Sequence, residues 1–196
     1  MSKHLLAAAI AVAASLSLSS SDKVYAELPE TIQAGDAKLV LNGSGVRTKY
    51  LMQMYVAGLY LARPSDRPAE IVSADAPMAI RLEITSGLVT QEKLIETLNE
   101  GFANATNGKP EPIRKEIDHF RKCLAANIVK GDVLDLVYVP TQGVTVVKNG
   151  KKLGVVEGLA FKKALFGIWL SDSPADEDLK QGLLMAKANR SDTARK

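Results

Sequence analysis

The chain has 196 residues, of which 46% are hydrophobic and 24% charged, values that are typical of a globular protein and not of a disordered one. Its 25 basic and 22 acidic side chains alternate along the sequence and give a formal net charge of +3, which argues against a nucleic-acid-binding surface. One cysteine and two histidines exclude an intramolecular disulfide and leave few metal ligands, so we expect no metal centre and no cofactor.

The N-terminal segment has the pattern of an export signal. Lys3 and His4 precede an apolar run over residues 5–18, and Val24-Tyr25-Ala26 places small residues at the two positions that signal peptidase reads. The run is about 14 residues long, whereas a membrane-spanning helix needs about 20. We therefore predict a signal peptide over residues 1–26 and a periplasmic protein with no stable membrane anchor. An uncleaved anchor is the alternative.

The first half of the remaining chain shows strand patterns followed by a helix pattern. Residues 39–41 and 50–61 are expected strands, interrupted by a glycine-bearing segment near residues 42–45. The second strand is apolar on both faces, as in a central strand that is covered on two sides. Residues 78–85 form a third expected strand, and Thr90 is expected to cap an amphipathic helix.

The second half begins with a predicted amphipathic helix of about 17 residues that starts near Pro112. Strands follow over residues 133–139, 144–148 and 152–156. The last two flank Asn149-Gly150, a dipeptide that favours a tight hairpin because both turn residues need positive φ.

Two more helices complete the prediction. One covers residues 158–170 and contains the only tryptophan, Trp169, and the other opens at Ser173-Pro174 with acidic residues in its first turn. Grouped antiparallel strands and clustered helices predict an α+β fold. We expect one domain over residues 27–187 and a frayed tail over residues 188–196.

Most recurring catalytic motifs are missing from the sequence, including the phosphate-binding loop, G-x-S-x-G and H-E-x-x-H. His119 is expected on the surface, and Cys123 is expected to be a buried small apolar residue. The segment over residues 41–49 is more informative, because its two glycines next to Arg47 indicate a bulge or a close approach of the backbone. Arg47 either points to water or lies at the mouth of an apolar cavity, where its guanidinium would receive a carboxylate.

Several motifs together resemble a known family. Asn42-Gly43-Ser44-Gly45-Val46-Arg47, followed by Met54-Tyr55-Val56-Ala57-Gly58-Leu59-Tyr60-Leu61, resembles the signature of the chalcone isomerase fold. The later Lys130-Gly131-Asp132, Asn149-Gly150-Lys151 and Leu165-Phe166-Gly167-Ile168-Trp169-Leu170 are similar to its bacterial, secreted branch. The resemblance covers roughly residues 37–184. It implies an open-faced antiparallel sheet layered with helices, with a ligand cleft between the layers.

The resemblance also implies roles for individual residues. Plant chalcone isomerases have an arginine at the place of Arg47 that stabilises enolate charge, whereas plastid fatty-acid-binding members hold a carboxylate with an arginine and a tyrosine. Tyr55 stands where the isomerases have a strand threonine, and Ile168 stands at the position of another polar substrate contact. Arg47 and Tyr55 would lie about 26 Å apart on one straight strand, so the chain must turn around residues 48–50.

These features favour a non-catalytic periplasmic binder of a small hydrophobic carboxylate such as a fatty acid, with Arg47 and Tyr55 as its ligand-binding residues. One alternative is an isomerase or lyase that uses Arg47 to stabilise an enolate. Another is an envelope interaction protein without a ligand, which would have no enclosed cavity beside Arg47.

Overall fold

The computed structural model describes residues 28–125 and 127–185. The predicted signal peptide, residues 1–26, and the predicted frayed tail, residues 188–196, lie outside the described residues. Within the described ranges, no helix is both long enough and apolar enough to cross a bilayer.

Seven antiparallel strands in these described residues form one sheet, in which each strand pairs with its neighbour in sequence. This meander needs only short connections between strands, because antiparallel neighbours can be joined by tight turns. The strands are β1 (Thr31–Ala34), β2 (Ala37–Lys49), β3 (Met52–Leu61), β4 (Met78–Ile84), β5 (Val133–Val139), β6 (Gly143–Lys148) and β7 (Lys151–Val156).

Five α-helices accompany the sheet in the described residues, and the main apolar core involves residues of strands β3 to β7 together with residues of all five helices. A smaller cluster around Leu39, Tyr60 and Ala79 forms a second packed group on the sheet. The predicted α+β fold, an open-faced antiparallel sheet layered with helices, is therefore confirmed. The helices are α1 (Pro68–Ser73), α2 (Gln91–Ala105), α3 (Arg114–Cys123), α4 (Leu159–Leu170) and α5 (Glu177–Leu184).

Several predicted elements agree with the structure. Thr90 caps α2, where its side chain accepts a hydrogen bond from the backbone N–H of Lys93. Asn149 and Gly150 both have positive φ, 49° and 78°, in the turn between β6 and β7. β3 lies between β2 and β4 and is buried from Tyr55 to Leu61, as expected of a central strand.

Other elements differ from the prediction. The glycine-bearing segment does not interrupt a strand, because β2 runs through it to Lys49 and the chain turns at Tyr50 and Leu51. The second predicted helix is shorter, since a 3₁₀ turn (Glu111–Ile113) precedes α3 and the helix ends at Cys123. Leu124 and Ile128 are still buried, so the apolar spacing continues where the helix does not. β1 and α1 were not predicted from the sequence.

The glycines of β2 allow α5 to lie directly on the strand. A Cβ atom on Gly43 would collide with the backbone oxygens of Gly182 and Leu183, and one on Gly45 would lie 2.9 Å from the Leu179 side chain. The predicted bulge is present at Asn42, between the paired residues Leu41 and Gly43. The close approach of backbone that the glycines indicated is therefore the contact between β2 and α5.

The Asn42 side chain at this bulge is completely buried, and both ends of its amide are hydrogen-bonded. Nδ2 donates to the carbonyl oxygens of Leu183 at 2.8 Å and Ser65 at 3.0 Å, and Oδ1 accepts from the Ser65 N–H at 2.8 Å. Leu183 lies in the last turn of α5, where backbone carbonyls have no partner within the helix. Asn42 thus attaches the end of α5 to the sheet.

Candidate ligand-binding site

The β2–β3 hairpin brings Arg47 and Tyr55 together. The two residues are direct partners in the antiparallel register, so their side chains lie on the same face of the sheet as close neighbours. The chain reverses its direction at Tyr50 and Leu51, which agrees with the turn expected around residues 48–50. The register shifts next to this pair, where Met54 is the extra residue of a bulge, a feature that redirects side chains beside a site.

Arg47 is held by an acidic residue from the far end of the chain. Its Nη1 donates to Asp176 Oδ2 at 2.8 Å, and the two side chains are only 18% and 14% exposed. Asp176 Oδ1 accepts from the backbone N–H of Leu179 at 2.9 Å, so Asp176 is also the N-cap of α5. The Nε and Nη2 groups of Arg47 donate no hydrogen bond within residues 28–125 and 127–185.

Tyr55 is buried and presents a hydrogen-bond donor. Its hydroxyl oxygen accepts from Trp169 Nε1 at 3.1 Å. Because the indole N–H can only donate, the proton of the Tyr55 hydroxyl is not used in this hydrogen bond. No acceptor for that proton is found among the described residues. Burial raises the pKa of Tyr55, although the Trp169 hydrogen bond and the Arg47 charge act in the opposite direction. The hydroxyl therefore remains a donor at neutral pH.

A cavity of about 230 Å³ opens beside this pair, between the β2–β3 hairpin and α2. Arg47 and Tyr55 both line it, together with apolar side chains from the hairpin, from the segment before α2 and from its first turn, namely Met52, Met54, Leu88, Val89 and Leu94. Four exposed or partly exposed charged residues also border it, namely Lys49, Lys93, Glu96 and Glu100. The cavity thus combines a mostly apolar wall with two little-exposed side chains, Arg47 and Tyr55, that can donate hydrogen bonds.

The hairpin turn is unusual in its exposure. Tyr50 is 82% exposed and Leu51 is 99% exposed, and both adopt positive φ, 52° and 63°. This conformation is costly for side-chain-bearing residues. Tyr50 lines the cavity, so the exposed turn lies beside it.

The other singled-out residues lie away from the cavity. Ile168 is buried and packs closely against Gly101 of α2. His119 is exposed, and Cys123 is buried against Gly154, as the sequence predicts for each. No group of three or more histidine, cysteine or acidic side chains suited to a metal ion occurs in the part of the chain that the structure describes.

Sequence reasoning missed two residues of the site, Asp176 and Trp169. Asp176 was recognised only as an acidic residue at the start of the last helix, and Trp169 only as part of an apolar helix. The available signals were an acidic residue in a helix-capping position and an indole whose N–H needs an acceptor when buried. Neither signal identifies Arg47 or Tyr55 as the partner.

A sequence model described as chalcone isomerase-like matches residues 22–185. The chain belongs to the chalcone isomerase-like family. Among solved structures, the crystal structure of a fatty-acid binding protein from Arabidopsis thaliana is similar with a TM-score of 0.64. The match covers 81% of this chain and 91% of the plant protein at 18% sequence identity, so it shows a shared fold. No curated protein gives a significant match.

Membership of the chalcone isomerase-like family confirms the resemblance drawn from the motifs around Arg47 and in the second half of the chain. The family model spans the seven strands and five helices that the structure describes, including β1 and α1, which were not predicted from the sequence. The cavity beside Arg47 is thus built from elements that belong to the family domain.

Proposed function

We propose that this protein binds a small hydrophobic ligand with a polar head group, such as a fatty acid, in the cavity between the β2–β3 hairpin and α2. Arg47 and Tyr55 hold the head group, and the apolar wall receives the tail. The observation that carries the proposal is the pair itself: two neighbouring side chains on a mostly apolar cavity wall, each with donors that no described residue uses.

The energetics favour this arrangement. Each buried methylene contributes about 0.8 kcal/mol, so a tail of several methylenes offsets much of the cost of ordering a ligand. Hydrogen bonds that involve a charged group are stronger than neutral ones, which suits Arg47 to an oxygen of the head group. The alternative, an interaction protein that uses only its exterior, would have no enclosed cavity beside Arg47.

Two further observations support the proposal. The plant protein with the same fold is a fatty-acid binding protein, although 18% identity carries only the fold. The export-signal pattern in residues 1–26 supports a periplasmic location for the binding.

Replacing Arg47 tests the proposal. We expect Arg47→Ala to weaken the binding of decanoate by at least about tenfold, because a charge-assisted hydrogen bond contributes about 1.5–3 kcal/mol. The measurement is a titration of the purified protein followed by the fluorescence of Trp169, whose indole is hydrogen-bonded to the cavity residue Tyr55.

A matched control is Arg81→Ala. Arg81 also forms a partly buried pair with an aspartate, Asp135, at 2.6 and 3.0 Å, but it does not line the cavity. We expect this variant to bind decanoate like the wild type when both are folded. Unchanged binding by Arg47→Ala would contradict the proposal.

A further inference from the structure

We propose that Asp176 determines which head groups the cavity accepts, because it neutralises Arg47 before any ligand arrives. The inference rests on the proposed function and deepens it. It assigns the site to amphiphiles with an uncharged polar head, such as fatty alcohols and acyl esters, on at least equal terms with free fatty acids.

Asp176 lies beside Arg47 but outside the cavity lining. Its carboxylate contacts Arg47 Nη1 at 2.8 Å and does not line the cavity, whereas Arg47 does. A ligand can therefore reach Arg47 while Asp176 stays bound to it. The donors left for the ligand are the remaining N–H groups of Arg47 and the hydroxyl of Tyr55.

The charge of the site follows from this pairing. The charges of Arg47 and Asp176 sum to zero. The other charges that border the cavity also cancel, because it is bordered by two lysines and two glutamates, namely Lys49, Lys93, Glu96 and Glu100. A carboxylate that enters would be an additional negative charge with no uncompensated cation to receive it, and both members of the pair are mostly buried. A carbonyl or hydroxyl oxygen accepts the same hydrogen bonds without that cost.

The charge on Asp176 is not needed to cap α5. An N-cap requires a side-chain oxygen that accepts a backbone N–H, and asparagine and serine serve about as well as aspartate. Asp176 already satisfies the Leu179 N–H with Oδ1 alone. The second carboxylate oxygen, which faces Arg47, is therefore separable from the structural role of the residue.

Asp176→Asn separates the two roles. Wild type and variant are titrated with decanoate and with 1-decanol, which share a tail and differ in head-group charge. We expect the wild type to bind the two ligands with similar dissociation constants. The variant should bind decanoate relatively tighter, so that the ratio of the decanol to the decanoate dissociation constant rises about tenfold.

The control is Asp178→Asn. Asp178 is an exposed acidic residue in the first turn of the same helix, and it does not line the cavity. Its replacement removes the same charge from the protein, so we expect the ratio of dissociation constants to stay at the wild-type value. Should Asp176→Asn fail to fold, Asp176→Ser keeps a capping oxygen and takes its place.

The outcomes distinguish this inference from the proposed function. If wild type and all variants bind neither ligand, the proposed function fails and the inference fails with it. If the wild type binds decanoate but loss of the Asp176 charge changes the ratio by less than fivefold, the inference is overturned while the proposed function stands.

Discussion

Lys162 on α4 is a fully buried cation that is held by backbone carbonyls. Its Nζ donates to the carbonyl oxygens of Ile71, Val72 and Ala74, at 3.0, 3.0 and 2.7 Å, and so caps the C-terminal end of α1. Positive charge is favourable at that end of a helix, where carbonyls have no partner within the helix. Burial nevertheless lowers the pKa of Lys162 to about 8.

This pKa predicts a specific dependence of stability on pH. An unfolded lysine has its ordinary pKa of 10.5, so between pH 8 and 10.5 the unfolded chain binds more protons at this position than the folded one. The free energy of unfolding therefore gains a contribution that rises with pH in this window. We expect Lys162→Met to remove that contribution, as measured by urea unfolding at pH 7, 8, 9 and 10.

Lys115→Met is the matched control, since Lys115 is an exposed lysine on α3 and its charge is not one of those that shift the pKa of Lys162. Burial also raises the pKa of Cys123 and of the buried tyrosines, and this holds in every variant, so the informative quantity is the difference from wild type at each pH. A difference between wild type and Lys162→Met that does not change from pH 7 to pH 10 would contradict the prediction.

The docking of α5 on β2 controls the position of Asp176. Gly182 of α5 lies against β2, where a Cβ atom would be 2.5 Å from the Ser44 carbonyl oxygen and 3.1 Å from Gly45 Cα. These neighbours are backbone atoms of a paired strand and cannot move independently of the sheet. Glycine is required here by close approach, in a helix where it would otherwise be unfavourable.

Gly182→Ala has two opposite effects on the free energy of unfolding. Alanine gains roughly 0.5–1 kcal/mol over glycine in a helix interior, whereas overpacking costs about 1–3 kcal/mol. Because the contact is with backbone, we expect the clash to prevail and the free energy of unfolding to fall by about 1–2 kcal/mol. Chemical denaturation of the two proteins measures the difference.

Gln181→Ala provides the comparison on the exposed side of α5. Its free energy of unfolding should stay within about 0.5 kcal/mol of the wild-type value, as for most surface substitutions. A Gly182→Ala protein that is more stable than wild type would show that helix propensity dominates and that α5 does not lie as close to β2 as described.

The strands of the sheet could be predicted from the sequence to different extents along the chain. Asn149-Gly150 specifies its hairpin by local chemistry, so β6 and β7 were predicted almost to the residue. Tyr50-Leu51 has no turn chemistry, and its positive φ values are imposed by the pairing of β2 with β3. β1 and α1 have four and six residues, too few for a periodic pattern to stand out.

The site was predictable only in part, for a related reason. Arg47 and Tyr55 could be singled out through the family resemblance, and their register follows once the hairpin is placed. The partner of Arg47 could not be predicted, because Asp176 is 129 positions away in sequence and reaches Arg47 only through the packing of α5 on β2. Long-range pairs of this kind depend on tertiary structure that local patterns do not encode.

The size of the cavity limits the length of the ligand tail, if the proposed function holds. A water molecule occupies about 30 Å³ in the liquid, and a methylene group has a similar volume. A cavity of about 230 Å³ therefore has room for roughly eight methylene groups. This is below the about 300–1,000 Å³ of pockets that enclose drug-sized ligands. A tail longer than about eight carbons must therefore extend past the mouth of the cavity.

Saturated acids from six to sixteen carbons test this limit. Each methylene that enters the cavity contributes about 0.8 kcal/mol, so the affinity should rise about fourfold per carbon up to roughly eight to ten carbons. Beyond that length the increment should fall well below twofold, because additional methylenes stay in contact with water. Titrations followed by Trp169 fluorescence, kept below micelle concentrations, give the series. An undiminished fourfold gain up to sixteen carbons would require a larger cavity, opened by movement of α2 away from the β2–β3 hairpin.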